Sequence, residues 1–105
     1  MLTYADAKRL ADTYVDVTTR GGGAVTKALA KPYGWVFFYN NREFIETGNP
    51  RKRYAGNAPI IVDRFDGELR VTGTGGPLEG YLAEYEATLP SARLQFEPEE
   101  PPDAG

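Results

Sequence analysis

The run Gly34-Trp35-Val36-Phe37-Phe38-Tyr39-Asn40 constrains this chain more than any other stretch. Five consecutive residues, Trp35 to Tyr39, are aromatic or β-branched, set between a glycine and an asparagine pair. Side chains of this kind fit a pleated, half-buried surface, so the run reads as a strand. Alternation puts Trp35, Phe37 and Tyr39 on one face and Val36 and Phe38 on the other. Both faces are then apolar. Such a strand is either central in its sheet or shows aromatic surface to a partner, and the residues alone leave both readings open.

The flanking sequence supplies the other elements. Residues 4–17 read as a helix: Thr3 caps it, Asp6 follows three residues later as in a capping box, and Ala7, Leu10, Ala11, Tyr14 and Val15 share one face. Gly21-Gly22-Gly23 ends regular structure. Residues 24–30 are a poorly patterned strand candidate, and Pro32 and Gly34 mark a turn. Asn40-Asn41 signals another turn. Arg42 to Thr47 fits either a short strand or a helical turn, and residues 48–57 read as a loop. Pro59 opens a strand through Ile60, Ile61 and Val62, Arg64-Phe65-Asp66-Gly67 is a hairpin turn with Gly67 at positive φ, and Leu69 and Val71 continue on a half-exposed strand. Pro77 suits the first position of a second helix, whose apolar stripe is Leu78, Tyr81, Leu82, Tyr85 and Leu89, and Pro90 ends it. This order predicts an α+β domain: an antiparallel sheet of three to four strands with an N-terminal and a C-terminal helix packed on one face.

With 105 residues the chain has room for one core and little for a deep cleft. The formal net charge is −3, but Glu97, Glu99, Glu100 and Asp103 lie at the C-terminal end, and residues 1–96 carry a net charge of +1. Residues 1–96 therefore read as a single near-neutral domain, and 97–105 as a disordered acidic, Pro-rich tail. The chain has no cysteine and no histidine, which removes disulfides, Cys or His zinc sites, thiol catalysis and His-based triads. Catalysis would fall to carboxylates, Lys, Tyr, Ser and Thr. No apolar signal core opens the chain and no segment nears the ~20 apolar residues of a membrane span, so a cytoplasmic location is the simplest expectation.

Several groups of residues bear on function. Trp35, Phe37 and Tyr39 form an aromatic platform if their face is exposed, and core if it is not. Arg51, Lys52 and Arg53, tipped by Tyr54, make a basic loop suited to an acidic partner, or simply a solvated loop. One such cluster in a near-neutral domain does not imply nucleic-acid binding. Gly56-Asn57-Ala58-Pro59 reads as a structural turn. Gly73-Thr74-Gly75-Gly76 precedes a helix but lacks the lysine of a phosphate-binding loop, so it reads as a turn. Asp63, Asp66 and Glu68 fit a charged hairpin tip and match no calcium loop. No catalytic residue, metal site or cofactor is implied.

The blocks GWVFFYN, FIETGN, AGNAPIIVDRFDGELRVTGT and PLEGYLAEYE, in this order and spacing, resemble the immunity protein 35 family, also called YrhB-like. The resemblance covers roughly residues 4–87 and is strongest from Gly34 to Tyr85. It implies a small bacterial α+β protein made beside a toxin of a polymorphic toxin system, in some loci a toxin with a papain-like peptidase fold. The Gly21-Gly22-Gly23 run and the basic Arg51-Lys52-Arg53 run depart from the family pattern. The resulting expectation is a non-enzymatic immunity protein that occludes a cognate protein toxin through Trp35, Phe37, Tyr39, Arg51, Lys52, Arg53 and Tyr54, with no nucleic-acid or membrane partner. The alternatives are a chaperone-like module using the same apolar face and, in third place, an enzyme using carboxylates such as Asp63 and Glu68.

Overall fold

A computed structural model describes residues 1–54 and 57–102, so the expectations for Gly56 and for residues 103–105 lie outside the described residues. The first helix, α1 (Tyr4–Thr18), begins at the expected capping box: the Asp6 N–H donates to Thr3 Oγ1 and the Thr3 N–H donates to Asp6 Oδ2, each at 3.2 Å. Ala7, Ala11 and Val15, four residues apart, are its buried stripe. Two alanines in that stripe let the helix lie close to the sheet. Leu10 is a correction: expected to face the sheet, it is 41% exposed, because the stripe runs through positions i, i+4 and i+8 and leaves Leu10 on its shoulder.

The sheet has four antiparallel strands in sequence order: β1 (Gly23–Lys31), β2 (Gly34–Asn41), β3 (Ile60–Asp63) and β4 (Leu69–Val71). The fold is α+β. The aromatic run is β2, an interior strand. A bulge between Val25 and Lys27 shifts the β1 register, which is why residues 24–30 fail to alternate cleanly in sequence. Trp35 pairs with Ala30 on one side and Val62 on the other, and Phe37 pairs with Ala28 and Ile60. Small residues on β1 thus leave room for the large rings of β2. Gly34 admits no side chain: at φ 152° its Cβ would lie 2.1 Å from the Val62 carbonyl oxygen. Gly67, at φ 70°, supplies the left-handed residue of the β3–β4 hairpin as the sequence requires.

The sequence reading placed both helices on one face of the sheet, and here the structure corrects it. α1 packs on Trp35, Phe37, Ile60 and Val62. The C-terminal helix α3 (Leu78–Ala87) packs Leu82 and Tyr85 on Tyr33, Val36 and Ile61, the opposite side. The cause lies in β2 and β3 themselves. Their alternate residues are apolar on both faces, and a two-sided apolar strand pair needs cover on both sides.

Arg42 to Thr47 resolves as a short helix, α2 (Arg42–Thr47), because the Asn41 side chain caps it by accepting from the Glu43 N–H at 2.8 Å and Gly48 ends it at φ 71°. A turn of 3-10 helix (Pro50–Lys52) follows. None of the helices among the described residues is long and apolar enough to cross a membrane.

The C-terminal segment also departs from expectation. Glu97 and Glu99 are hydrogen-bonded to the body of the domain, and Pro101 is buried. A lack of apolar residues predicts disorder here, whereas the contacts that hold Glu97 and Glu99 are polar.

Candidate functional site

The seven candidate contact residues divide into two groups. Trp35 and Phe37 are fully buried. The Tyr4 ring closes over both, edge-on to Trp35 at 6.0 Å between centroids and stacked on Phe37 at 6.1 Å. They are core beneath α1, with the Trp35 indole N–H also covered by the C-terminal segment, and they form no exposed aromatic platform. That resolves the choice the sequence left open for this face.

Tyr39, Arg51, Lys52, Arg53 and Tyr54 come together at the far end of β2. Asn40 and Asn49 build the support. Asn49 Oδ1 accepts from the Arg51 N–H at 3.1 Å and starts the 3-10 turn, and Asn40 Oδ1 accepts from the Tyr54 N–H at 3.0 Å, tying the end of the turn back to β2. Asn57 Nδ2 donates to the Tyr39 carbonyl, 18 residues away, tying the chain after the loop to β2. The Tyr54 ring meets Tyr39 edge-on at 6.3 Å. Burial, then the neighbouring Tyr14 and Tyr54, push the Tyr39 hydroxyl above the usual phenol range, so it is a neutral donor at physiological pH. Lys52 Nζ lies 3.6 Å from Glu43 Oε2, an exposed pair. Arg51 and Arg53 are exposed and make no ion pair among the described residues. The arrangement is a braced turn with two uncommitted guanidinium groups above a half-buried tyrosine pair.

The opposite face of the same strand adds surface that the sequence reading did not select. Val36 is buried there, but Phe38 is half-exposed, with Lys27 Nζ 5.5 Å from its ring, and Leu29 is 37% exposed. Alternation placed Phe38 on this face. Its exposure depends on how far α3 reaches across the sheet, which no local pattern encodes.

The hairpin carboxylates are structural. Asp63, expected at a solvated tip, is fully buried; it accepts the Tyr85 hydroxyl, the Phe65 N–H at 2.8 Å and the Asp66 N–H at 3.4 Å. Arg70 Nη1 donates to the Tyr85 oxygen at 2.8 Å and Nη2 to Glu68 at 2.7 Å. Burial, reinforced by a hydrogen bond to Asp63, raises the Tyr85 hydroxyl well above the phenol range. Burial and Glu86 do the same for Tyr33. These groups satisfy one another and leave no lone base beside a nucleophile. Among the described residues, no group of three or more Asp or Glu is placed to hold a metal ion. An open cleft of about 450 Å³ between α1 and β1 has Lys8, Asp12 and Asp16 on its wall, with Lys8 already paired to Asp12 at 2.9 Å.

The family model described as Immunity protein 35 matches residues 5–88, from α1 to the end of α3. The curated Uncharacterized protein YrhB of Escherichia coli (strain K12) is 43% identical over 86 residues, spanning 82% of this chain and 90% of the relative. No solved structure matches the chain.

Proposed function

The chain belongs to the immunity protein 35 family, and from that premise we propose that it neutralises a cognate polymorphic toxin in the cytoplasm by binding and occluding it. The observation that carries the reading is the braced basic turn. Arg51 and Arg53 stand exposed and unpaired among the described residues, beside the Tyr39–Tyr54 pair. Exposed charges of one sign steer an acidic partner into register, and a partly buried tyrosine offers contact area at low entropy cost. Occlusion needs no chemistry of its own, which agrees with carboxylates and tyrosines already engaged with one another. Trp35 and Phe37 contribute indirectly, by fixing the strand from which the turn projects.

The test is binding kinetics against the toxin encoded beside this gene, at two salt concentrations. With Arg51, Lys52 and Arg53 all replaced by Ala, association should slow and its salt dependence flatten. Tyr54→Ala should instead speed dissociation, with a loss of ~2–4 kcal/mol if it is a hot spot. For a toxin of papain-like peptidase fold, occlusion would read out as stoichiometric loss of peptidase activity. Wild-type kinetics and cell protection in both variants would remove the basic turn from the interface.

A further inference from the structure

Beyond the segment that matches the family, the chain carries a carboxylate into a site built by three separate elements. Glu99 Oε2 accepts from the N–H of Tyr4, the first residue of α1, at 3.0 Å. That N–H stands at a helix start, where the dipole also favours negative charge. Glu99 Oε1 lies 3.8 Å from Arg64 Nη2. The Glu99 carbonyl accepts from the indole Nε1–H of Trp35 on β2 at 2.7 Å. Arg64 Nη1 donates to the Glu97 carbonyl at 2.9 Å, and the guanidinium lies 5.6 Å from the centroid of the Trp35 ring. Arg64 is only 8% exposed, and its Nε has no hydrogen-bond partner among the described residues.

The mode of contact is that of a bound peptide. Residues 97–102 form neither helix nor strand. It is held through two main-chain carbonyls and one carboxylate, with Pro98 and Pro101 on either side of the anchoring glutamate. Recognition domains take extended, proline-rich segments in this way, using an indole N–H and a fixed cation. All the donors belong to residues 5–88 of the family match except the Tyr4 N–H immediately before it, and both acceptor residues lie outside it. The charges are complementary, since the segment is acidic and the groove offers Arg64 and a helix N-terminus.

We propose that the groove between the start of α1, Trp35 and Arg64 is a recognition site for an extended, acidic, proline-flanked peptide, that residues 97–101 are its ligand in cis, and that a segment of the same chemistry on a partner protein exchanges with it. Tethering gives the cis ligand an effective concentration of order millimolar, so a competitor acts when local supply is high or the tail is pulled away.

Trp35 is the only tryptophan in the chain, so in the folded protein its emission reports on this site with no other indole contributing. The full chain carrying Glu99→Ala and Pro101→Ala should show red-shifted emission, and a peptide with the sequence of residues 95–102 should reverse the shift saturably. The same peptide with Gln in place of Glu99 should bind about tenfold or more weakly, for want of one charge-assisted contact. Unaltered protein should bind the peptide more weakly than the double variant does. Unshifted emission in a folded double variant, or equal affinity for the two peptides, would overturn the proposal. The unaltered protein gives an independent reading should the double variant fail to fold: its single indole N–H resonance should move with millimolar peptide and move far less at the same concentration of the Gln form. A resonance indifferent to both peptides would overturn it. Concentration-dependent dimers without any peptide response would also overturn it, in favour of tail exchange between copies.

Discussion

Asp63 shows how a single residue can be misjudged from sequence and then govern stability. A carboxylate immediately before a hairpin turn looks solvated, because nothing local reveals that Tyr85, 22 residues further on, will donate its hydroxyl to it. In the fold, Asp63 satisfies that hydroxyl and two hairpin N–H groups without exposure of its own. Asp63→Ala leaves buried donors unpaired, each costing ~1–3 kcal/mol, so a large loss of stability in urea unfolding is the expected result. Asp63→Asn keeps an acceptor and should cost less. The tyrosines of this cluster give a pH dependence of definite sign. Tyr33 and Tyr85 are raised above the ordinary phenol value, first by burial and then by Glu86 and Asp63 respectively. Their contribution is fully present below the unfolded-state value and is lost as pH rises beyond it. Unfolding free energy should therefore be level through neutral pH and fall above about pH 10. A curve that is flat to pH 11 would mean that these hydroxyls ionise as readily in the folded state as in the unfolded one.

Among the elements, those with strong local signals were legible and those defined by tertiary reach were not. The α1 capping box is written in Thr3 and Asp6 and is observed as written. Thr3→Ala should cost ~0.5–2 kcal/mol. Asp6 is lowered below the usual carboxylate value, first by the Thr3 backbone N–H and next by the Thr3 hydroxyl. A lowered carboxylate stabilises above its unfolded value and loses that effect as pH falls through its folded one. Asp6→Asn should thus be less stable than wild type at neutral pH and converge with it in acid, a difference that thermal melts across pH 2–7 would read. The hairpin was legible because Gly67 is required where it stands, and β2 because of its composition. The side on which α3 packs was not legible: its stripe of Leu82 and Tyr85 fits either face, and only the two-sided apolar pattern of β2 and β3 decides it. Leu82→Ala should cost ~2–5 kcal/mol, because Leu82 is one of only two buried side chains that α3 brings to the sheet.

At the scale of the whole molecule, the question is where the domain ends. Composition suggests an end at Phe96, and the family match covers residues 5–88. The folded chain remains in contact through Pro101, because Glu97 and Glu99 supply acceptors to donors that are otherwise sheltered from water. Hydrophobic accounting cannot find a segment held in this way, since what counts is the unpaired N–H groups of Trp35 and Arg64 and not apolar area. The same reasoning decides what removal of residues 97–105 does. If the segment were merely solvated, the melting temperature would stay put. Removing it instead strips the Trp35 indole of its partner and leaves the Arg64 guanidinium only the Pro32 carbonyl at 3.5 Å, and water can replace the lost acceptors only where the groove opens. A loss of ~1–3 kcal/mol is expected, at roughly 4–8 °C in melting temperature per kcal/mol for a domain of this size. Part of that loss should be screened by salt, because the Arg64–Glu99 pair and the charge at the helix start both weaken with ionic strength. Truncated and intact chains should therefore differ less in molar salt than in dilute buffer. A truncated chain that melts with the intact one at both salt concentrations would return the segment to the role of an unordered tail, with water serving the Trp35 indole as well as Glu99 does.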